Sequence, residues 1–590
     1  MCGIIGYIGK KNATPILLNG LKHLEYRGYD SVGVCIKNGN ELIIKKDVGK
    51  VDEVHARLNF MEPAAKIVMG HSRWATHGSV TQDNAHPHID CSGSIAVVHN
   101  GIIENYFELK KQLIKKGHVF RSETDTEVIP HLIEEELKNG KSFEEAVKHA
   151  LKKLEGSYAL LIVHKDEDKM IAARKGSPLV LGIADHGFFA ASDIPAFLEH
   201  TKRVVYLHDY DMAILTPENF QIFNIKEWKP VEKRIDTIDW DAEQAKKGEF
   251  EHFMMKEIAE QVDTVQRAVQ QDKRIVDKVV NEIKRAKGIF FIGCGSSYHA
   301  CLAASYIFSK IAKFHVNVVL ASEFPNYEHF LTKDTLVIAV SQSGETYDVL
   351  EAVRAAKRRG SKVISIVNVM GSSLTRESDD FLLMHAGPEI CVLSTKTYTS
   401  QIALLSLLAY ALAGKYEEGK KKLTYLWNVI YHLTSRTMRE KLKELAEKLK
   451  DKEHIFVIGR GLQYATALEA ALKIKEVSYI HAEAFAGGEL KHGTIALIEE
   501  GTPCIVFVSK ENEKEIISNA IEIKSRGGYI IGISPKRHEV FDFWIKVPEC
   551  NTENSIVQII PIQILAYQLA VLRGCDPDKP RNLAKSVVVK

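Results

Sequence analysis

A segment near residue 289 returns near residue 455, and this internal repeat limits the fold more than any other feature of the chain. Ile289-Phe290-Phe291-Ile292-Gly293-Cys294-Gly295 is matched by Ile455-Phe456-Val457-Ile458-Gly459-Arg460-Gly461. Val337-Ile338-Ala339-Val340-Ser341 is matched by Ile505-Val506-Phe507-Val508-Ser509, and Val363-Ile364-Ser365-Ile366-Val367 by Tyr529-Ile530-Ile531-Gly532-Ile533. The offsets are 166, 168 and 166 residues, so one supersecondary plan is written twice. Each half alternates β-branched runs of strand length with helical stretches. Runs that are apolar on both faces belong to a parallel sheet covered by helices on both sides. The expectation is two doubly wound parallel-sheet domains, over 279–418 and 446–580.

Ahead of the repeat, residues 1–225 read as a strand-rich α/β domain. Thr14 and Pro15 supply a helix N-cap and first turn, and Leu17, Leu18, Leu21 and Leu24 give that helix an apolar stripe. Val34 to Lys37, Asn38-Gly39 and Leu42 to Lys45 read as a hairpin. Residues 226–278 form a linker and connecting helix, with the polar stretch ending at Gly248 as the boundary, and 581–590 are a C-terminal tail. A chain of 590 residues allows three or four domains at ~150 residues each. With a net charge of +2 the chain offers no electrostatic case for nucleic acid or a membrane surface. Nine cysteines, an odd number without a CxxC pair, indicate a reducing, cytoplasmic setting and argue against structural zinc; no metal or cofactor is expected. No export signal opens the chain. The uncharged runs Thr397 to Gly414 and Ser555 to Leu572 contain Ser, Thr and Gln, and read as buried core helices rather than membrane spans.

Chemistry concentrates at the start. Cys2 follows the initiator Met1, and on removal of Met1 it would carry a thiol and a free α-amine, a nucleophile with its own base. Polar clusters lie where chains turn: Arg27 to Ser31, His71 to Gly78, His99-Asn100-Gly101, and Ser122 to Thr126. An Arg and an Asp suit an α-amino acid, the guanidinium for its carboxylate and the carboxylate for its ammonium. Asn100-Gly101 offers a side-chain amide and an unhindered backbone N–H, the donors an oxyanion hole needs. Any one cluster alone is more often a polar loop.

Taken together, Cys2-Gly3-Ile4, Arg73-Trp74-Ala75-Thr76-His77-Gly78, His99-Asn100-Gly101 and Glu123-Thr124-Asp125 resemble the class II glutamine amidotransferase domain. The resemblance implies an N-terminal-nucleophile fold, a four-layer αββα sandwich. It implies that Cys2 attacks the glutamine carboxamide, that Asn100 and Gly101 stabilise the oxyanion, and that Arg73, Thr76, His77 and Asp125 bind glutamine.

In the first half of the repeat, Ser341-Gln342-Ser343-Gly344-Glu345-Thr346 follows a strand and precedes a helix, a cradle for a phosphate dianion. The loop with Ser296 and Ser297 has the same character. The aligned Ser509-Lys510-Glu511-Asn512-Glu513 has lost the glycine and most hydroxyls, which leaves one phosphate site, in the first half. The halves resemble sugar isomerase (SIS) domains. With the amidotransferase domain in front, the chain is similar throughout to the family of glutamine:fructose-6-phosphate amidotransferases.

That resemblance implies glutamine and fructose 6-phosphate as substrates, ammonia transfer and isomerisation for amino-sugar biosynthesis, and a homodimer. Lys585 would open the ketose or form a Schiff base with it. His492 from a neighbouring subunit would be the ring-opening acid/base, Glu476 would move a proton between C1 and C2, and Lys473 would support them. Ser296, Ser297, Ser341, Gln342, Ser343, Thr346 and Ser394 would bind the sugar phosphate, and Trp74 would gate the ammonia. Departures from the family pattern are few: Ser296 for Thr, and Thr494 and Val262 for Pro. The absence of a long insertion gives no indication of nucleotide-sugar feedback. The competing readings are an amidotransferase or deglycase for another phosphosugar, and a phosphosugar-binding regulator. The regulator lacks an evident helix-turn-helix with a basic face.

Overall fold

The computed structural model describes residues 2–75, 77–238 and 247–588. Met1, Thr76 and the stretch 239–246 of the expected linker lie outside the described residues. The chain forms two compact units, Met1–Lys246 with Ala584–Lys590, and Lys247–Leu583.

The first unit stacks two antiparallel sheets. One has eight strands in the order Asp236–Thr237, Arg203–Tyr206, Val180–Ala184, Gly187–Ala191, Gly3–Gly9, Ile67–Arg73, Ser31–Asn38, Glu41–Val48. The other has seven, in the order Lys229–Pro230, Phe220–Asn224, Asp211–Leu215, Met170–Lys175, Gly156–His164, Ile95–Ile103, His88–Ile89. Side chains alternate across a strand, and the alternation builds the layers. Ile4 and Ile8 pack between the sheets with Met69, Val98 and Leu161, while Ile5 and Tyr7 point outward to the helix Ala13–Leu24. On the far side Val97 and Leu160 meet the helices Val128–Lys138 and Phe143–Lys152. The result is the αββα sandwich.

Gly3 is required by space. A Cβ there would lie 2.5 Å from Ser72 Oγ and 2.8 Å from Leu24 Cβ. The hairpin forms as expected, Ser31–Asn38 against Glu41–Val48. Two expectations are corrected. The first helix is capped by Asn12, whose Oδ1 accepts from Thr14 N at 3.4 Å, because an Asn side chain reaches the amide two residues on. The first domain also does not stop at 225: Lys229–Pro230 and Asp236–Thr237 supply edge strands to the two sheets. Short polar edge strands carry too little apolar alternation to be read from sequence.

The second unit holds the repeat. Gly288–Gly293, Asn317–Leu320, Thr335–Ser341, Lys362–Val367 and Asp380–Leu383 form one parallel sheet. His454–Gly459, His481–Ala486, Pro503–Phe507, Tyr529–Ser534 and Phe543–Lys546 form the other. Both have spatial order 2-1-3-4-5 in their own strands, so the connections reverse direction between the first and third strands, where a crevice opens at their carboxyl ends. Alternate residues again divide the labour. Phe291, Ile338, Val457 and Ile505 enter one core that runs through both halves, while Phe290 and Phe456 face the outer helices of their own halves. The two uncharged runs are buried helices of that shared core, Lys396–Leu412 and Ile559–Leu572. The stretch Asn551–Leu572 is long and apolar enough to cross a membrane, but 83% of its apolar window is buried here.

Candidate active sites

In the first unit the strand Gly3–Gly9 delivers Cys2 to the wall of a cavity of about 120 Å³. Arg73, Trp74, His77, Asn100, Gly101 and Asp125 also line it, so the amidotransferase candidates among the described residues converge. The Cys2 thiol donates to Trp74 O at 3.3 Å, and Trp74 N–H donates back to Sγ at 3.2 Å. Burial pushes the thiol's pKa up, opposed by the Trp74 N–H and the Arg73 guanidinium. Asn100 Nδ2 donates to Cys2 O at 2.8 Å, which places the amide beside the nucleophile's own backbone.

Gly101 has φ +134°, and a Cβ there would lie 2.1 Å from Ser157 O, so only glycine fits. Asp125 Oδ2 accepts from Ile103 N at 2.7 Å, which fixes one carboxylate oxygen. Arg73, at the end of the strand Ile67–Arg73, donates to the carbonyls of Ser79, His77 and Gly78. Its charge therefore also organises the loop that follows it.

A feature the sequence did not single out is a floor of buried imidazoles. The rings of His71 and His86 lie 4.0 Å apart, and those of His86 and His88 4.7 Å apart. Burial lowers the pKa of His71 to about 3 and also lowers His86, His88 and His99. These bases stay neutral in the fold but charge in the unfolded chain below their ordinary ~6.5, so unfolding then takes up protons. Their stabilisation is therefore present above pH ~6.5 and drains away as pH falls toward 3, at up to ~1.4 kcal/mol per pH unit for each group. Hydrogen-exchange protection of Ile67–Arg73 should drop steadily between pH 6.5 and 4, and His71→Gln should soften the slope. Protection that is flat across this window contradicts the assignment.

In the tail, Ala584, Ser586, Val587 and Val588 line the Cys2 cavity, and Lys585 belongs to the same unit.

In the second unit, the crevice between Gly288–Gly293 and Thr335–Ser341 carries the loops with Ser296 and Ser341 to Thr346. Ser341 Oγ accepts from Gly344 N at 3.0 Å and lies 3.3 Å from Thr346 Oγ1; Ser343 Oγ accepts from Glu345 N at 3.1 Å. Gly344 has φ +66°, and its Cβ would meet Ser372 Oγ at 2.1 Å, so the glycine both turns the loop and leaves space. Gln342 is fixed through its carbonyl, which accepts from Asn368 N at 3.1 Å. Ser297 is buried in the first turn of the helix Ser296–Ile307, its N–H on Cys294 O at 3.1 Å.

Across from these loops the helix Leu462–Ser478 of the second half presents Glu469, Lys473 and Glu476. Lys473 Nζ lies 2.7 Å from Glu476 Oε2 and 3.4 Å from Glu469 Oε1, and donates to Ser296 Oγ at 3.1 Å and Ser394 O at 3.3 Å. Burial works against its charge, yet the two carboxylates hold the ammonium above its usual range. Glu469 accepts from Ser296 Oγ at 2.8 Å and pairs with His299 Nδ1 at 2.7 Å. Burial likewise disfavours its charge, and Lys473 and His299 outweigh that to keep it ionised. The sequence reading missed Glu469. Its signal was the i, i+4 spacing to Lys473 on one helix face. His492 closes the short helical turn Gly487–His492 and is exposed in the single chain. In the second crevice Gln463 Oε1 accepts from Ser509 Oγ and Asn512 Nδ2, both at 3.2 Å, so its polar groups satisfy one another.

Comparison with known proteins agrees with this division. The glutamine amidotransferase domain profile matches residues 71–199, and the SIS domain profile matches 282–411 and 448–572. Glutamine–fructose-6-phosphate aminotransferase (isomerising) of Thermococcus kodakarensis is 49% identical over 602 residues, covering 100% of both chains. The protein of that name from Pyrococcus horikoshii is 46% identical, also over 100% of both. The chain belongs to the glutamine–fructose-6-phosphate aminotransferase family. A solved C-terminal domain of such an aminotransferase from Francisella tularensis superposes with TM-score 0.53 at 33% identity, covering 57% of this chain and 99% of that one. The aminotransferase family thus accounts for both the αββα sandwich and the paired SIS domains.

Proposed function

We propose that the chain transfers the amide nitrogen of glutamine to fructose 6-phosphate and isomerises the product to glucosamine 6-phosphate, releasing glutamate. The observation that carries this reading is the pairing, in one chain, of a half-buried Cys2 beside an oxyanion-type amide with a Lys473-centred charge network facing a hydroxyl-rich crevice. Cys2 attacks the carboxamide carbon. The Asn100 amide turns from Cys2 O to the oxyanion and acts with the Gly101 N–H. Ammonia leaves, and water cleaves the thioester to glutamate. Arg73 and Asp125 hold the two ends of the amino acid, Thr76 and His77 are further glutamine-binding residues, and Trp74 gates the departing ammonia.

At the sugar, Ser341, Gln342, Ser343 and Thr346, with Ser296, Ser297 and Ser394, receive the phosphate and hydroxyls. Lys585 opens the ketose, and Glu476, 2.7 Å from the Lys473 ammonium, passes a proton between C1 and C2. The reaction runs in the cytoplasm. Incubating the full chain with glutamine and fructose 6-phosphate under reducing conditions, after verifying its mature N-terminus by mass, should give equal amounts of glucosamine 6-phosphate and glutamate. Glutamate without amino sugar overturns the reading.

The exposed His492 is assigned to the site of a partner subunit in a twofold homodimer. A His492→Ala chain and a Lys473→Met chain should each be inactive as homodimers. Statistical mixing should restore about a quarter of wild-type synthase activity, because half of the dimers then hold one complete site. Mixtures that stay inactive place His492 outside the chemistry.

A further inference from the structure

We infer that the first unit contains a tetrahedral zinc site built from Cys91, His118, His131 and Glu134. Their donor atoms converge: Cys91 Sγ lies 3.7 Å from His118 Nδ1 and 3.6 Å from His131 Nδ1, and the two Nδ1 atoms are 3.2 Å apart. Glu134 Oε2 lies 3.1 Å from His118 Nδ1 and 3.5 Å from His131 Nδ1. Zinc bonds of ~2.3 Å to sulfur and ~2.0–2.2 Å to nitrogen and oxygen give tetrahedral edges of about 3.3–3.6 Å; the five spacings above run from 3.1 to 3.7 Å, and all four donors lie within 4.8 Å of one another.

The shell behind the four donors is that of a metal site. His118 Nε2 faces Glu135 Oε1 at 2.9 Å, the carboxylate–histidine pairing that fixes a ligand's tautomer and aims its other nitrogen at the metal. Glu134 Oε2 stands on the Nδ1 side of the same ring, so the imidazole is held between two carboxylates. His131 Nε2 is buried with no hydrogen-bond partner, its nearest carboxylate, Glu127, being 3.8 Å away. Val119 N–H donates to Cys91 Sγ at 3.4 Å, which fixes the direction of the sulfur. One thiolate and one carboxylate also neutralise a divalent ion. The two histidine side chains are each 1% exposed and that of Glu134 8%, while Cys91 sits at the surface end of the cluster and offers an entry path.

The expectation against structural zinc rested on missing CxxC spacing. This cluster needs one cysteine, with partners separated by 27, 13 and 3 residues. Only His131 and Glu134 share an element, the helix Val128–Lys138. The metal's role follows from what it ties together. His118 and His131 bracket Thr124, Asp125 and Thr126, three residues that line the Cys2 cavity. Zinc therefore anchors both ends of that segment, and its binding does not depend on which substrate the cavity takes.

Full-length protein made in zinc-supplemented medium without a histidine tag should carry about one zinc per chain by elemental analysis. After exchange with cobalt, it should show a thiolate-to-cobalt charge-transfer band and tetrahedral d–d absorption. Cys91→Ser should remove the charge-transfer band, and Cys91→Ser with His131→Asn should cut zinc content at least about tenfold. Circular dichroism should confirm that both variants fold. Wild-type protein that holds no zinc and gives no cobalt band overturns the inference. So does a band that survives Cys91→Ser.

Discussion

Replacing Cys2 by Ala should reduce glutamine hydrolysis at least about a thousandfold, because the covalent route disappears and only water attack aided by the oxyanion donors remains. The substitution removes one sulfur and the hydrogen bonds it shares with Trp74, and leaves Arg73, Asp125, Asn100 and Gly101 in place. Glutamine should therefore still bind, protecting the variant against thermal unfolding as it does the wild type. The residues proposed for the phosphosugar chemistry, Lys585 excepted, lie in the other compact unit. Isomerisation of fructose 6-phosphate without glutamine should stay within about twofold of wild type, since distant sites act independently. Glutamate release would be followed by a coupled dehydrogenase assay, and isomerisation by NMR. Glutamate production above a tenth of the wild-type rate would remove Cys2 from the nucleophile's role.

The second large effect is structural as well as catalytic. The side chains of Lys473 and Glu469 are 0% exposed and 3.4 Å apart, with Glu476 2.7 Å from the same ammonium. Taking away one partner of a buried pair leaves an uncompensated charge and costs about 3–5 kcal/mol. Lys473→Met should therefore lower the denaturant midpoint of the helix Leu462–Ser478, read by hydrogen exchange in the full chain, and abolish amino-sugar formation. Adding Glu469→Gln discharges the stranded carboxylate, so the double variant should regain most of the lost stability and none of the synthase activity. A single variant within about 1 kcal/mol of wild type would show that the network does not stabilise the fold.

Much of this was legible in the sequence, for identifiable reasons. Parallel strands buried on both faces write long apolar runs, so the repeat announced its own sheets; Cys2 stands just before a strand and Asp125 in a turn, where local motifs survive translation into space, while Asn100-Gly101, expected where the chain turns, lies within the strand Ile95–Ile103. Lys473 and Glu476 are neighbours on one helix and could be paired by spacing alone. What stayed hidden depends on tertiary placement. Glu469 looks like one more polar residue in a helix until Ser296 and His299 arrive from 173 and 170 residues away. The imidazole floor and the Cys91 cluster each draw on several elements far apart in the chain, so local spacing relates only His86 to His88 and His131 to Glu134. Edge strands such as Lys229–Pro230 are too short to carry a period.

The helix that carries Lys473 belongs to the half whose own crevice is occupied by Gln463, Ser509 and Asn512 hydrogen-bonding one another. After an ancestral duplication, the copies need not both have kept a ligand. One has a hydroxyl-rich loop turned by Gly344, and the other lends a charged helix to its sibling. Neither half is then heritable by itself: a gene split between residues 418 and 446 would encode two partners that must find each other before either has a use.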